Sequence, residues 1–290
     1  LVHMRSPILL IALIALLLGA QSATAQNDWP LVWADEFTGE GLPDTSNWRY
    51  DVGGDGWGND ELQHYTAQRL QNARIENGLL VIEAHREKFQ DRAYTSARLA
   101  SKRDWTYGRF EIRAKMPVGR GTWPALWMLP THDTYGGEGY WPDNSEIDIL
   151  EQVGYQPDVV HFSVHTRAYH HSIGTQKTNH RTLANTSTQF HIYAVEWTPE
   201  EIRFFVDDRR YFTFANERLT DKNANYQQWP FDRPFHLLLN IAVGGTWGGA
   251  QGVDEGIWPQ KLEVDYVRVY QPPADTTVER QSWGKIKQTD

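Results

Sequence analysis

The sequence predicts an all-β fold of the sandwich or jelly-roll type, and three observations support this prediction. Polar and apolar residues alternate with a period of two in several segments, for example YGRFEIRAKM at 107–116, as expected for strands with one face in a core. Glycine-rich clusters separate these segments, such as GGDGWGND at 53–60. Downstream of residue 26, no run of ten or more residues keeps a helical period, so we expect strands packed as two layers.

The first 25 residues have the pattern of a secretory signal peptide. Met4 and Arg5 precede an unbroken apolar run at 8–20, and ATA at 23–25 offers a cleavage site. We therefore expect a secreted or periplasmic protein with no membrane insertion after cleavage. A buried N-terminal helix is the alternative. Residues 1–3 precede Met4 and are interpreted as an extraneous remnant.

Composition excludes several classes of protein. The chain of 290 residues has no cysteine, which excludes disulfides, thiol catalysis, Cys-ligated metals and a lipid anchor on cysteine. The core alone must therefore stabilise the fold, and a chain of this length can bury enough surface to do so. The 37 acidic residues outnumber the 28 basic ones, so no nucleic-acid partner is expected, because nucleic-acid binders need a basic face.

The strand predictions follow the chain in order. In 107–116, the apolar set Phe110, Ile112 and Ala114 predicts a dry face, and the alternating charged residues predict a wet one. Near the N-terminal side, DELQHYT at 60–66 is expected to form at most one short helical turn. Further β-rich runs lie at 79–85, 159–166, 190–197, 201–208, 235–243 and 261–270.

These elements predict a single domain over residues 26–271, with no internal repeat. Strand signals stop at Tyr270, and residues 272–290 begin with Pro-Pro and turn polar. This segment is expected to be a tail. A monomer is expected.

Three carboxylates lie within six positions of SEIDILEQVG at 145–154. On a regular strand Glu146 and Asp148 share a face, whereas Glu151, five residues from Glu146, would point to the other. A single-residue bulge corrects this parity and puts all three on one face. The core side then takes Ile147 and one or both of Ile149 and Leu150.

A row of carboxylates suits glycoside hydrolysis. Like charges raise one another's pKa, so one group can hold its proton near neutral pH. A protonated carboxyl can then donate its proton to the leaving oxygen while a second carboxylate attacks the anomeric carbon. Two alternatives remain open at this point, namely a calcium site, since carboxylate oxygens suit a hard cation, and a solvated strand face.

Aromatic and histidine residues surround this segment in the sequence. Trp123 and Trp127 are four apart and can share a strand face, while Trp57 and Trp247 lie in glycine-rich loops. Core packing is the alternative for each tryptophan. His161 and His165 can also share a face, and packing or surface exposure is the alternative for a cleft role. The sequence contains no HExxH motif, which would have indicated a zinc site.

SEIDILEQVG resembles the active-site strand of glycoside hydrolase family 16 in its bulged form, E-x-D-x-x-E. The likeness spans Trp33 to Tyr270 and is greatest for bacterial laminarinases, which are endo-β-1,3-glucanases. Further stretches agree in the same order: WADEF, GNDELQHYT, NGLLVIEAH, TSARLAS, YGRFEIRAKMP, GTWPALWMLP, NIAVGGTWGG and VDYVRVY.

The resemblance implies a β-jelly roll of two curved antiparallel sheets with an open substrate cleft. It implies that Glu146 is the nucleophile, Glu151 the general acid/base and Asp148 the assisting carboxylate. It implies that the cleft is lined by Asn59, Arg98, Trp123, Trp127, His165 and Trp247.

The resemblance implies no cofactor for catalysis. It does imply a structural calcium ion away from the cleft, held by the Asp265 side chain and by backbone oxygens near Glu36 and Gly78. The expected calcium site therefore lies on the opposite side of the fold from the acidic strand.

The function that the resemblance implies is that of a secreted retaining endo-glucanase, which hydrolyses β-1,3 bonds of laminarin-like glucans by double displacement. One alternative is the same chemistry on mixed-linkage β-1,3-1,4-glucan or an algal galactan. Another is a non-catalytic glucan-binding protein. Many relatives are expected to have Asn at the position of Asp60. This difference and the loop at 131–144 are expected to affect substrate specificity and not the catalytic triplet.

Overall fold

The computed structural model describes residues 29–136 and 140–273. The predicted signal peptide at 1–25 lies outside the described residues, as does most of the predicted tail at 272–290. Within the described ranges the chain forms only strands and two short 3₁₀ helices, at His171–Ile173 and Glu217–Leu219. No described helix is long and apolar enough to cross a bilayer.

Seventeen strands make up the described part of the fold. Every β-rich run singled out in the sequence coincides with one of them. In chain order they are β1 (Leu31–Asp35), β2 (Trp48–Asp51), β3 (Gln63–Tyr65), β4 (Ala73–Glu76), β5 (Leu79–Phe89), β6 (Arg92–Ser96), β7 (Arg98–Trp105), β8 (Gly108–Lys115), β9 (Thr122–Pro130), β10 (Glu146–Glu151), β11 (Val159–His165), β12 (Lys177–Thr182), β13 (His191–Trp197), β14 (Glu201–Val206), β15 (Arg209–Ala215), β16 (Phe235–Val243) and β17 (Gln260–Tyr270).

The strands form two sheets, which confirms the predicted sandwich. The larger sheet has the order β15-β14-β13-β8-β17-β5-β6-β3, with β1 beside β17 and β4 beside β5. The smaller sheet has the order β12-β11-β10-β9-β16-β7-β2. Eight of the fifteen strand pairs join strands that are not consecutive in the chain, as β8 and β17 are, so the fold depends on long-range pairing.

One core lies between the two sheets. Ile112 on β8 and Val267 on β17 contribute to it from the larger sheet, and Phe162 on β11 and Leu239 on β16 from the smaller one, all fully buried. Because side chains alternate along a strand, the other face of the smaller sheet points away from this core. We call this the outer face, and the acidic strand β10 lies next to the central strand β9.

The expectation of a helical turn at 60–66 is wrong. The segment contains strand β3 instead, and β3 pairs with β6 in parallel fashion. Tertiary contacts decide this local structure, because Leu62 N–H donates to Val243 O and Tyr65 pairs with Gly53. The other strand pairs are antiparallel.

The predicted wet face of β8 is largely buried. The guanidinium of Arg109 bonds Glu111 at 2.6 Å, Glu196 at 3.1 Å and Asp208 at 2.8 Å, and it stacks over the ring of Phe205. These charged side chains can be buried because they pair with one another. The alternation within β8 cannot reveal this burial, because two of the partners of Arg109 come from β13 and from the turn before β15.

Candidate active site

The acidic strand β10 contains the predicted bulge. Glu146 pairs with His165 and Asp148 with Ser163, and the register then shifts before Glu151 pairs with His161. The pairing with β9 shifts at the same place. The side chains on the core side are all fully buried: Ile147, Ile149 and Leu150. The bulge therefore puts two consecutive apolar residues into the core and returns Glu151 to the outer face, as predicted.

The three carboxyl groups differ in their surroundings. Asp148 is only 1% exposed, whereas Glu146 and Glu151 are half-buried and accessible from the outer face. Burial raises the pKa of Glu151 to about 7, and the nearby Glu146 charge adds to this rise. A carboxyl with this pKa holds a proton for much of the time near neutral pH, as a general acid requires.

The carboxyl groups of Glu146 and Asp148 lie close to each other, and their contact raises the pKa of Glu146 and lowers that of Asp148. Burial raises the pKa of both groups, and each is raised further by a neighbouring carboxylate. Asp148 is the more deeply buried of the two and is therefore the less able to hold a charge. The two groups do not ionise independently, and the pair holds a proton more readily than either acid would alone.

His165 completes this group. It lies opposite Glu146 on β11, and its Nε2 is 3.3 Å from Asp148 Oδ2. The charge of protonated His165 would lower the pKa of both Glu146 and Glu151. Side-chain atoms of Glu146, Asp148 and His165 all lie within 4.8 Å of one another, the spacing of a potential cation site, and this is the one such group among the described residues.

Aromatic side chains flank the carboxylates on the outer face. Trp123 on β9 donates its indole N–H to Glu151 Oε1 at 3.0 Å. The ring of Trp247, from the glycine-rich loop after β16, meets Trp123 edge to face at 5.5 Å and meets His161 at 4.9 Å. These half-buried rings form one wall beside the general acid candidate, and none of them belongs to the core.

Trp127 lies on β9 beside Asp148, and Arg98 lies on β7, two strands further along the sheet. The guanidinium of Arg98 lies between two indole rings, 4.7 Å from the centroids of Trp57 and Trp127. Asp51 holds the same guanidinium at 3.0 Å. Arg98 is thereby fixed in orientation, with its charge partly balanced, at a position where it can contact a bound sugar.

A buried hydrogen-bond chain supports these residues from below. Trp127 Nε1 donates to Asn240 Oδ1 at 2.8 Å, and Asn240 Nδ2 donates to the Tyr65 hydroxyl at 3.0 Å. Tyr65 in turn donates to Glu61 Oε2 at 3.2 Å. Glu61 also accepts from Asn59 at 3.3 Å, so one buried carboxylate links two of the predicted substrate-binding residues.

The structure thus brings the nine predicted catalytic and substrate-binding residues to one face. It adds residues that sequence reasoning missed, chiefly Glu61, Tyr65 and Asn240. Asn240 had a usable signal, because it and His236 are the polar residues that interrupt the apolar run at 235–243.

The residues of the predicted calcium site lie together on the far side of the fold. Pairing of Val264 with Leu80 places Asp265 beside the turn that contains Gly78. Glu36 follows β1, the neighbour of β17 near this turn. One carboxylate with backbone carbonyl oxygens is a donor set that suits a hard cation.

Both carboxylates at this place have cationic partners in the structure. Asp265 forms an ion pair with Arg113, and Glu36 bonds Arg268 through two contacts at 2.7 and 2.9 Å. A calcium ion would have to displace Arg113 from Asp265. The donor set fits the ion, and the calcium site stays a prediction.

Comparisons with known proteins agree with this geometry. The family model described as Glycosyl hydrolases family 16 matches residues 60–268. A β-glucanase of Rhodothermus marinus is 60% identical over 256 residues, covering 88% of this chain and 89% of that protein. A glucan endo-1,3-β-glucosidase of Cryptopygus antarcticus is 39% identical over 263 residues, covering 87% and 96%.

The fold is also shared with a solved relative. The X-ray structure of the laminarinase from Rhodothermus marinus superposes with a TM-score of 0.83 at 62% sequence identity, covering 84% of this chain and 97% of that one. The family match covers most of the chain and includes the acidic strand and its flanking tryptophans. The chain belongs to glycosyl hydrolase family 16.

Proposed function

We propose that this protein is a retaining endo-glucanase that hydrolyses β-1,3-glucosidic bonds of laminarin-like glucans. The observation that supports the proposal most directly is the row of Glu146, Asp148 and Glu151 on the outer face of β10. The pKa values of Glu146 and Asp148 at one end of the row are raised, and that of Glu151 at the other end is about 7. The relatives named above are a β-glucanase, an endo-1,3-β-glucosidase and a laminarinase, which favours a β-1,3-glucan as substrate.

In the first step, Glu151 gives its proton to the glycosidic oxygen while a Glu146 oxygen attacks the anomeric carbon. The carbon–oxygen bond to the leaving sugar breaks, and a covalent glycosyl ester with Glu146 forms. Trp123 supports this step because its N–H stabilises the carboxylate that Glu151 becomes. Asp148 keeps Glu146 oriented and supplies a hydrogen bond to it.

In the second step, Glu151 takes a proton from water, and the water oxygen attacks the anomeric carbon. The ester to Glu146 breaks, so the product keeps the β configuration after two inversions. The half-buried rings of Trp123, Trp127 and Trp247 offer apolar faces for sugar rings. Arg98 and Asn59 offer hydrogen-bond donors for their hydroxyls.

The roles of the two glutamates can be separated by experiment. Glu146→Gln should lower kcat on laminarin by at least about 1,000-fold while leaving glucan binding intact, because the nucleophile is lost and the shape is kept. With azide added, Glu146→Ala should give the α-glycosyl azide, and Glu151→Ala the β-glycosyl azide. Normal hydrolysis by Glu146→Gln would overturn the assignment.

Substrate choice is tested by a panel of glycans. The native enzyme should release reducing sugar from laminarin faster than from mixed-linkage β-1,3-1,4-glucan, and none from agarose. Activity on agarose with none on laminarin would replace the proposed substrate with a galactan. Binding of laminarin with no release of sugar would replace the enzyme with a glucan-binding protein.

We extend the proposal to export, oligomeric state and metal content. The signal pattern at 1–25 supports a secreted or periplasmic protein, which N-terminal sequencing of the exported protein tests. We also propose a monomer, which light scattering tests. We also propose one structural calcium ion at Asp265 with backbone oxygens near Glu36 and Gly78. A chelator should lower the Tm of the native protein, and it should not affect Asp265→Asn.

A further inference from the structure

Two histidines lie side by side on the outer face of the smaller sheet. His161 on β11 and His180 on β12 are directly paired across the two antiparallel strands. The centres of their imidazole rings are 5.5 Å apart, with 32° between the ring planes. The neighbours Val160 and Phe162 are buried in the core, so the alternation along β11 turns His161 to the outer face. Because β12 is an edge strand, the pair is open to solvent on one side.

Both rings offer a nitrogen to a ligand. In the half-buried His161, Nε2 is buried without a hydrogen-bond partner among the described residues, whereas Nδ1 is not buried. A neutral imidazole has one protonated nitrogen, and a proton on the inward Nε2 leaves the lone pair of Nδ1 for a ligand. Burial and the neighbouring His180 lower the pKa of His161 to about 4, so the ring is neutral at pH 7.5. His180 is exposed, and neither of its ring nitrogens is buried.

The spacing of the two rings suits a shared metal ion. A Zn–N bond of about 2.0–2.1 Å puts each ring centre ~3.2 Å from the ion, and a tetrahedral angle then separates the two centres by ~5.2 Å. The observed 5.5 Å is close to this value, and a small rotation of the exposed His180 ring completes the fit. Imidazole nitrogen prefers Zn²⁺, Cu²⁺ and Ni²⁺ to Ca²⁺ or Mg²⁺.

Other histidines near the cleft do not offer such a pair. The rings of His165 and His171 are 5.3 Å apart, but His165 Nε2 faces Asp148 at 3.3 Å and His165 Nδ1 is buried. The group formed by Glu146, Asp148 and His165 is the competing place for a cation. A test must therefore distinguish the histidine pair from this group.

The histidine pair lies next to the general acid candidate. Glu151 is directly opposite His161 on β10, so Glu151, His161 and His180 form a row across three strands. Two strand spacings of ~4.8 Å separate the first backbone from the last. The ring of Trp247, which belongs to the predicted sugar-binding wall, contacts His161 at 4.9 Å. An ion on the two histidines, with its bound waters, therefore lies at the acid end of the cleft.

We propose that His161 and His180 form a two-histidine site for a divalent transition-metal ion such as Zn²⁺, Cu²⁺ or Ni²⁺, and that an ion bound there competes with glucan for the acid end of the cleft. Water molecules supply the remaining ligands of the ion. Ion binding does not depend on the function proposed above, and only the inhibition rests on it.

Calorimetry with Zn²⁺ at pH 7.5 tests the binding, with protein that carries no histidine tag and with calcium present throughout. His180→Gln should bind Zn²⁺ at least about tenfold more weakly than the native protein, equal to ~1.4 kcal/mol. Glu146→Gln removes a ligand from the competing group and should bind Zn²⁺ as the native protein does. The matched control is His132→Gln, an exposed histidine in the loop at 131–144, which should also bind as the native protein does.

Electron spin echo spectroscopy with Cu²⁺ counts the histidine ligands directly. The native protein should show two imidazoles on the ion, and His161→Gln and His180→Gln should each show at most one. Unchanged Zn²⁺ binding in His180→Gln, or binding that Glu146→Gln removes, would overturn the site. One imidazole in the native protein would also overturn it.

Enzyme kinetics test the inhibition separately. Zn²⁺ should raise the KM of the native enzyme for laminarin and leave kcat unchanged. His180→Gln should have native activity without metal and keep its KM when Zn²⁺ is added. If Zn²⁺ binds at the pair and KM stays constant, the competition with glucan is wrong. Failure of the proposed function would appear as no hydrolysis of laminarin by the native enzyme, and the calorimetry and spectroscopy would still decide the metal site.

Discussion

The indole N–H of Trp123 donates to Oε1 of Glu151 at 3.0 Å. Trp123 therefore has two roles at once, because its ring forms part of the sugar-binding wall and its N–H sets the proton affinity of the general acid. This hydrogen bond lowers the pKa of Glu151, whereas burial and Glu146 raise it. The balance of these effects gives the value of about 7.

Trp123→Phe should raise the pKa of Glu151, because the ring stays and the donor to its carboxylate is removed. A hydrogen bond to a charged group contributes about 1.5–3 kcal/mol, so we expect the pKa of Glu151 to rise by roughly one to two units. Glu151 acts in its protonated form, so the alkaline limb of kcat/KM should move to higher pH. In Trp127→Phe the lost N–H bonded the neutral Asn240, and this control should leave the limb in place. A limb that stays fixed in Trp123→Phe would contradict the assignment.

Glu151→Gln should stabilise the folded protein above pH 7. The folded-state pKa is raised from 4.5 to about 7, so between these values the folded state binds more protons than the unfolded state, and its stability falls as pH rises. Glutamine does not ionise, and the variant should gain up to about 3 kcal/mol at pH 8 and little at pH 4.5. Urea unfolding at both pH values measures this. Glu200→Gln, an exposed position, is the control, and an equal effect at both pH values would argue against the raised pKa.

Glu61→Gln should disturb substrate binding from below the cleft. Glu61 accepts hydrogen bonds from Asn59, Gln63 and Tyr65, and an amide would set its own N–H groups against at least one of these donors. We expect KM on laminarin to rise several-fold, kcat to change less, and stability to fall by about 1–3 kcal/mol. The alkaline limb of kcat/KM should stay in place, since Glu61 does not contact Glu151. Exposed Glu255→Gln should leave all of these quantities unchanged, and an intact KM in Glu61→Gln would rule out the positioning role.

Arg109→Met should destabilise the larger sheet without altering the site. The substitution leaves Glu111 buried without its cation and leaves Glu196 with Arg203 alone, whose Nε is 3.5 Å away. We expect a loss of about 3–5 kcal/mol. Specific activity per folded molecule should be unchanged at low temperature. Arg86→Met breaks an exposed pair with Glu255 and should cost less than about 1 kcal/mol. Similar losses of stability in the two variants would contradict a larger contribution from the buried ion pairs of Arg109.

Sequence reasoning located the acidic strand because parity is a local property. The spacing of Glu146, Asp148 and Glu151 fixes which face each occupies once a strand is assumed, and the bulge follows without tertiary information. The strand segments were likewise predictable from alternation and glycine-rich turns. The tryptophans were assigned to the cleft by family likeness, and the outer-face positions of Trp123 and Trp127 agree with it.

The supporting residues could not be found in this way. The chain from Trp127 through Asn240 and Tyr65 to Glu61 joins three separate parts of the sequence, and only the pairing of β16 with β9 and the approach of the 60–66 segment bring them together. The burial of Arg109 depends on charges from other strands for the same reason. A single strand shows that a residue is polar, but its partners are set by the sheet order.

The bulge in β10 also determines which single-residue deletions in this strand keep its three acids on one face. Deleting Ile149 or Leu150 would leave the three acids at separations of two and four, which again face the same side of a regular strand. Of the three acids, only Glu151 would move relative to the other two, by no more than the rise of one residue, ~3.3 Å. Deleting Ile147 would instead turn Glu146 and Asp148 to opposite faces. A gene encoding this strand can therefore lose one codon at position 149 or 150 and keep the orientation of its acids, which makes this short interval the one place in β10 where an in-frame deletion adjusts the separation of nucleophile and acid.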